Sequence, residues 1–213
     1  MGIIYWLLWL IVTPLWFVLF PTRIVGKRNL KPVKKEATIL SSNHQSLNDP
    51  IIIKSRVKPT SKMMAKSELF KNKFVAGFLK MLGGYPVNRE GNDVSAVRTT
   101  LSLLKNDKTV TIFPEGTRGD TGELNALKNG LATFALKTDS YVVPMCFKKK
   151  PRMFVFNTLL IGKPFKFSDL EEFKGQKITR ELVEKASAVL SEKMAYLKDV
   201  STKEYKKLLK EKK

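Results

Sequence analysis

The stretch EATILSSNHQSLNDPIIIKSRV, residues 36–57, changes character twice. Residues 37–40 are a short apolar run ending in polar residues, the pattern of a buried strand. Pro50 opens a second apolar run at a position where a helix tolerates a missing N–H, so residues 50–57 read as first helical turns. Between them lies NHQSLND, just past the carboxyl end of the strand, where open α/β sheets collect ligands. Strand, loop and helix in that order are the unit of an α/β fold.

The alternation continues in both directions. SKMMAKSELF reads as a strand and a turn, and KNKFVAGFLKML places Phe74, Val75, Phe78, Leu79 and Leu82 at helical spacing. Two glycines in GGYPVNRE stop that helix and release a short extended piece. Residues 93–106 are amphipathic, with Val94, Val97, Leu101 and Leu104 on one face. A buried strand over residues 110–113 ends at Pro114. NGLATFALKTD is a helix, YVVPMCF a strand, and FVFNTLLIGKPFKF supplies further strand material. SDLE, residues 168–171, fits a capping box, and a long helix over residues 179–197 turns Leu182, Ala186, Val189, Leu190 and Leu197 inward. The expectation is a single α/β domain, residues 23–200, whose mostly parallel or mixed central sheet is flanked by helices. The lysine-rich tail, residues 201–213, reads as a solvated helix end, though each lysine near anionic headgroups would contribute about 1 kcal/mol.

Ahead of this domain runs IIYWLLWLIVTPLWFVLF, residues 3–20, without a charge and with three tryptophans. As a helix it would measure roughly 27 Å, against about 30 Å for a bilayer's hydrocarbon core. Pro14 sits inside it and removes a hydrogen bond, so a kinked or half-inserted helix competes with a spanning one. No basic residue precedes the run. Arg23, Lys27, Arg28, Lys31, Lys34 and Lys35 follow it, which argues against a cleaved leader and holds the rest of the chain on the cytoplasmic face of the cell membrane. Residues 1–22 are therefore expected to be an uncleaved membrane anchor, with a buried core helix as the alternative.

The 213 residues carry a formal charge of +20, a field that draws anionic partners without choosing among nucleic acid, lipid and acidic protein. Nucleic-acid binding would want aromatic platforms beside basic residues, and most aromatics here lie in apolar runs. One cysteine, Cys146, and one histidine, His44, exclude an internal disulfide and the usual zinc sites, so no metal is expected. There is no G-x-S-x-G elbow, no Walker phosphate loop and no G-x-G-x-x-G fingerprint. Cys146, in an apolar strand, reads as a core residue.

What remains is His44, suited to proton transfer near neutral pH, with Asp49 five residues on. Asp49 either orients the imidazole or caps the helix that Pro50 opens, and the spacing alone leaves both open. In FPEGTRGD, Gly116 permits an unusual turn that carries Glu115, Thr117 and Arg118 on a shaped loop. Arg118 fits a phosphate, or equally a surface pair with Glu115 or Asp120. GGYPVNR, ending in Arg89, is in isolation an ordinary helix stop.

In this order, NHQSLNDP, GGYPVNR, FPEGTR and VVPM resemble the four motifs of the glycerolipid acyltransferase family, closest to bacterial enzymes that acylate 1-acylglycerol 3-phosphate. The similarity covers roughly residues 35–150. It implies direct acyl transfer without a bound cofactor. His44 would deprotonate the free hydroxyl of lysophosphatidic acid and Asp49 would orient the ring, with an acyl-carrier protein or coenzyme A thioester as donor. It further implies that Arg118 and Lys66 hold the acceptor phosphate and that Glu115 and Gly116, in the loop with Thr117, shape the glycerol site. Arg89 would support the second motif's loop and Pro144 the acyl side of the pocket. Another lysophospholipid, or glycerol 3-phosphate, is the alternative acceptor. The third motif departs from the family where Gly119 and Asp120 stand in place of the usual serine.

Overall fold

The computed structural model describes residues 3–58, 60–88, 93–119 and 124–211, with side chains from Leu10 onward in the first of these stretches. Seven strands make one mixed sheet: β1 (Thr22–Val25), β2 (Thr38–Ser42), β3 (Lys62–Lys66), β4 (Gly84–Val87), β5 (Thr109–Ile112), β6 (Tyr141–Phe147) and β7 (Asn157–Ile161). Their order across the sheet is β1-β7-β6-β2-β5-β3-β4. The five strands from β6 to β4 run parallel, β7 is antiparallel to β6, and β1 is parallel to β7. Parallel neighbours need crossovers, which the helices α2 (Asp49–Arg56), α3 (Lys73–Met81), α4 (Val94–Lys105) and α5 (Gly130–Thr138) supply.

Successive strand residues point to opposite faces, and this splits the core in two. Ile39 of β2 and Val142 of β6 pack with Val110 and Ile112 under α4, α5 and α6 (Arg180–Asp199), meeting Leu104, Leu131, Ala186 and Leu190. Leu40 and Val143, one residue later, face the other way onto Ile52 and Ile53 of α2 and onto Phe20. The last helix, α7 (Thr202–Glu211), is fastened by the buried Tyr205, whose hydroxyl donates to the Ile161 carbonyl at 2.7 Å.

The apolar run at the start is the helix α1 (Ile3–Leu19), continuous through Pro14. No helix among the described residues is long and apolar enough to cross a membrane. The end of α1 is tied to the domain by Arg56 of α2. Its guanidinium donates to the Phe17 carbonyl at 3.0 Å and the Thr22 carbonyl at 3.1 Å, and lies 3.8 Å above the Phe17 ring.

Three expected details differ. Phe74 and Val75 of α3 are exposed, Phe74 by 87%. In α4 the buried side is Ala96, Thr100 and Leu104, while Val94 and Val97 are exposed. Thr100 faces inward because its hydroxyl bonds both the Ala96 carbonyl and the Tyr85 phenol. SDLE does not open an α-helix: Ser168 donates to Asp139, Asp169 accepts from the Lys166 N–H at 3.4 Å to close a short 3-10 turn, and α6 begins later, its first turn capped by Thr179 accepting from the Leu182 N–H at 3.2 Å.

Candidate active site

The site lies where β2 ends. Beyond Ser42 the chain leaves the sheet and is gripped on every side. The Asn43 amide exchanges two hydrogen bonds with the backbone of Phe147 at the end of β6, accepting at 2.8 Å and donating at 3.1 Å. The His44 N–H donates to Glu115 Oε1 at 3.0 Å, and the His44 carbonyl accepts from the Gly119 N–H at 2.9 Å. The imidazole stacks on Phe113, ring centroids 4.3 Å apart. His44 is thus held through its backbone and one ring face before any substrate arrives.

Asp49 is wholly buried, and a single oxygen does its work. Oδ2 accepts from the Gln45 N–H at 2.6 Å, the Ser46 N–H at 2.7 Å and His44 Nδ1 at 3.0 Å. An oxygen already accepting from two amides is an acceptor towards Nδ1–H as well, so in the neutral imidazole the lone pair lies on Nε2. Asp49 orients the ring and closes the loop at once. It does not cap α2: Asn48 stands at the cap, its side-chain amide donating to Ser46 Oγ and making no capping bond, and Asp49 Oδ1, also buried, meets no donor among the described residues. Of the two roles that the spacing leaves open, the geometry shows the contact with the ring and not the cap.

His44 forms part of the wall of a hollow of about 230 Å³, with Phe113, Pro114 and Gly116 from the turn after β5. Met64, Val87, Ile112, Leu131 and Phe134 make most of the remaining wall apolar, and Lys128 adds a cation. Gly116 has φ +74°, so the turn needs glycine for its conformation, and the carbon chain of Lys128 lies against it, Cε 2.8 Å from where a Cβ would sit.

The other expected site residues divide. Glu115 is buried, with Oε1 taken by His44 and Oε2 by the Asn125 N–H at 3.2 Å. It joins two loops through both of its oxygens. Thr117 and Arg118 are exposed on the turn that Gly119 ties to His44. Lys66 ends β3 at the same sheet edge and pairs with Glu68 at 3.2 Å. Pro144 lines a different cavity, of about 440 Å³, with Gly162, Tyr196 and Tyr205. Arg89 lies outside the described residues. Lys128 escaped the sequence reading, although its signal is visible as a basic residue just before the glycine that opens α5. Cys146 is buried in β6, and desolvation pushes its thiol up to about 12, which removes it as a nucleophile.

A family profile described as Acyltransferase matches residues 22–148. The 1-acyl-sn-glycerol-3-phosphate acyltransferase of Bacillus subtilis is 32% identical over 157 residues, 69% of this chain and 75% of that one. The enzyme of the same name from Streptococcus pneumoniae is 30% identical over 54% of this chain and 43% of its own. The crystal structure of the 1-acyl-sn-glycerophosphate acyltransferase from Thermotoga maritima superposes with a TM-score of 0.64 at 28% identity, covering 85% of this chain and 73% of that one. With its family match spanning most of the domain and its histidine–aspartate pair at the carboxyl edge of a mixed α/β sheet, this chain belongs to the acyltransferase family.

Proposed function

We propose that the protein transfers an acyl chain from a thioester to the free hydroxyl of 1-acylglycerol 3-phosphate, giving phosphatidic acid. The reading rests above all on the contact of His44 Nδ1 with Asp49 Oδ2, which leaves Nε2 free beside the hollow. Nε2 takes the hydroxyl proton as the oxygen attacks the thioester carbonyl. The resulting tetrahedral intermediate then expels sulfur, and the imidazolium returns its proton to the leaving thiolate. One C–O bond forms and one C–S bond breaks, so no acyl-enzyme is required. Such base assistance contributes about 10²- to 10⁴-fold. The apolar wall of the hollow suits acyl methylenes, and Arg118, Lys128 and Lys66 are cations at this edge for the acceptor phosphate. Acyl-carrier protein and coenzyme A offer the same thioester. The enzyme works at the cytoplasmic face of the cell membrane, a placement supported by the apolar α1 and the basic residues that follow it.

The test is a purified-enzyme assay that crosses several lysolipid acceptors, and glycerol 3-phosphate, with both thioester donors. Lysophosphatidic acid should be the preferred acceptor, and His44→Ala should lower turnover by about 10² or more while thermal unfolding is unchanged. Near-normal phosphatidic acid formation by a folded His44→Ala variant would overturn the mechanism.

A further inference from the structure

The connection between β6 and β7 has no role in the site described above, yet its composition is extreme. It runs KKKPRMFVF over residues 148–156. Four consecutive large apolar residues lie on the surface: Met153, Phe154, Val155 and Phe156, exposed by 50%, 70%, 51% and 82%. Scattered exposed apolar residues are ordinary, but four in a row at a loop tip form a patch that asks for cover.

The tip is built rather than loose. Asn157 braces its base, accepting from the Arg152 N–H at 2.9 Å and donating to the Arg152 carbonyl at 3.0 Å. The Phe154 N–H donates to the Leu19 carbonyl, the last residue of α1, at 2.7 Å. Phe154 is held at φ 58°, a left-handed conformation that costs an aromatic residue roughly 1–2 kcal/mol. The fold therefore spends conformational energy to hold an aromatic tip outward against the end of α1.

Topology then places this tip with the active site. β6 runs parallel to β2, so Phe147 and the loop after it leave the sheet beside Asn43, at the edge that carries His44. Leu47, in the His44 loop, is itself 69% exposed. Whatever covers the tip must also cover the end of α1, to which it is hydrogen-bonded and where Val18 is exposed. A second copy of a chain carrying +20 would bring the exposed Lys149, Lys150 and Arg152 against their own like. An anionic leaflet supplies both acyl chains for the four apolar residues and phosphates for the three cations.

We propose that residues 153–156 are a second membrane-insertion element. They seat among the headgroups and upper acyl chains of an anionic leaflet, and together with α1 they turn the His44 edge toward the lipid. The inference deepens the proposed function and rests on it only for the activity readout.

The test uses the full chain reconstituted into phosphatidylglycerol–phosphatidylcholine vesicles. An environment-sensitive fluorophore is attached at Phe156→Cys in a Cys146→Ala background. Its emission should rise on vesicles and be quenched by lipids spin-labelled near the headgroup end of the acyl chain. Emission that stays water-like on vesicles overturns the proposal, as does an equal rise produced in detergent by raising protein concentration alone. In a second arm, Phe154→Ser/Phe156→Ser should lower acylation of long-chain lysophosphatidic acid in vesicles by about tenfold or more, the factor that 1.4 kcal/mol of lost apolar burial produces. Acylation of a short-chain, monomerically dispersed acceptor should be unchanged. Equal rates for parent and variant on vesicles would remove the orienting role. A parent protein that acylates neither acceptor would sink the functional reading, while the fluorescence arm would still decide the loop.

Discussion

Replacing Asp49 by asparagine separates what the carboxylate does by shape from what it does by charge. Oδ2 accepts from two backbone amides and from the imidazole. In Asp49→Asn those two amides dictate the side chain's rotation, because the opposite flip would aim an NH₂ group at two N–H donors. The amide oxygen therefore takes the place of Oδ2 and still accepts from Nδ1–H, so the ring keeps its orientation and tautomer. The NH₂ group lands where Oδ1 is buried without a partner, at a cost of about 1–3 kcal/mol for an unsatisfied donor. What disappears is the negative charge facing the imidazolium that forms as the proton moves. A neutral bond in place of a charge-assisted one should lower kcat/KM by about 10²-fold, or roughly 2.7 kcal/mol of transition-state stabilisation. Asp49→Ala should do more and differently. It orphans both loop amides and should lower stability by about 2–6 kcal/mol, at 1–3 per group. The assay is initial-rate transfer of a labelled acyl group to lysophosphatidic acid, with thermal unfolding run in parallel. A folded Asp49→Asn enzyme with unchanged kcat/KM would refute the claim that the carboxylate's charge assists the base.

Arg118→Ala and Lys128→Met should each raise the acceptor KM by about 10- to 100-fold with kcat little changed, the range for a lost charged hydrogen bond made equally in ground and transition states. An unchanged KM removes that residue from the phosphate site. Glu115→Gln should lower stability by about 1–3 kcal/mol and reduce kcat, because one of the two amides that Glu115 accepts must lose its partner. A raised acceptor KM without a stability loss would instead mean that Glu115 touches substrate. Lys54 is buried, its ammonium donating to the Ser61 carbonyl at 2.7 Å, and desolvation with Lys62 nearby lowers it from 10.5 to about 8. Between those values the unfolded chain binds a proton that the folded chain has released, so unfolding free energy rises with pH, by up to about 3 kcal/mol. Denaturant unfolding of the parent and of Lys54→Met across pH 7–10 should show this rise in the parent alone; parallel slopes would refute it.

The fold was legible wherever burial and periodicity coincide. β2, β5 and β6 are apolar runs buried on both faces, and each lies within a residue or two of its expected span. Periodicity misleads where a helix meets the sheet through small or polar residues. In α4 a close approach selects Ala96 and Thr100 for the inner side, with Thr100 returning its hydroxyl to its own helix, and the bulkier Val94 and Val97 are left outside. In α3 Phe74 and Val75 are exposed although the spacing is helical, because amphipathicity reports an apolar face without reporting what covers it.

The site was legible as chemistry and not as connectivity. His44 and Asp49 could be paired because a base needs an orienting carboxylate, but spacing could not show that one oxygen would serve ring and loop together. Glu115 shows why. In a loop beside an arginine, a carboxylate reads as a surface or ligand group, and a buried negative charge there would repel an anionic acceptor. The structure removes the conflict by giving both oxygens to backbone amides, one at His44 and one at Asn125. Those bonds join residues 71 and 10 positions apart in sequence, so no local pattern encodes them. In the proposed reaction the FPEGTR loop would act at two levels. Glu115 and Gly119 fix the backbone of His44 from the protein side, while Thr117 and Arg118 stay exposed on the other. Under the proposed reaction, a loop that both clamps the base and presents a cation would tie the position of the acceptor to the position of the proton's destination, as direct transfer without a covalent intermediate would demand.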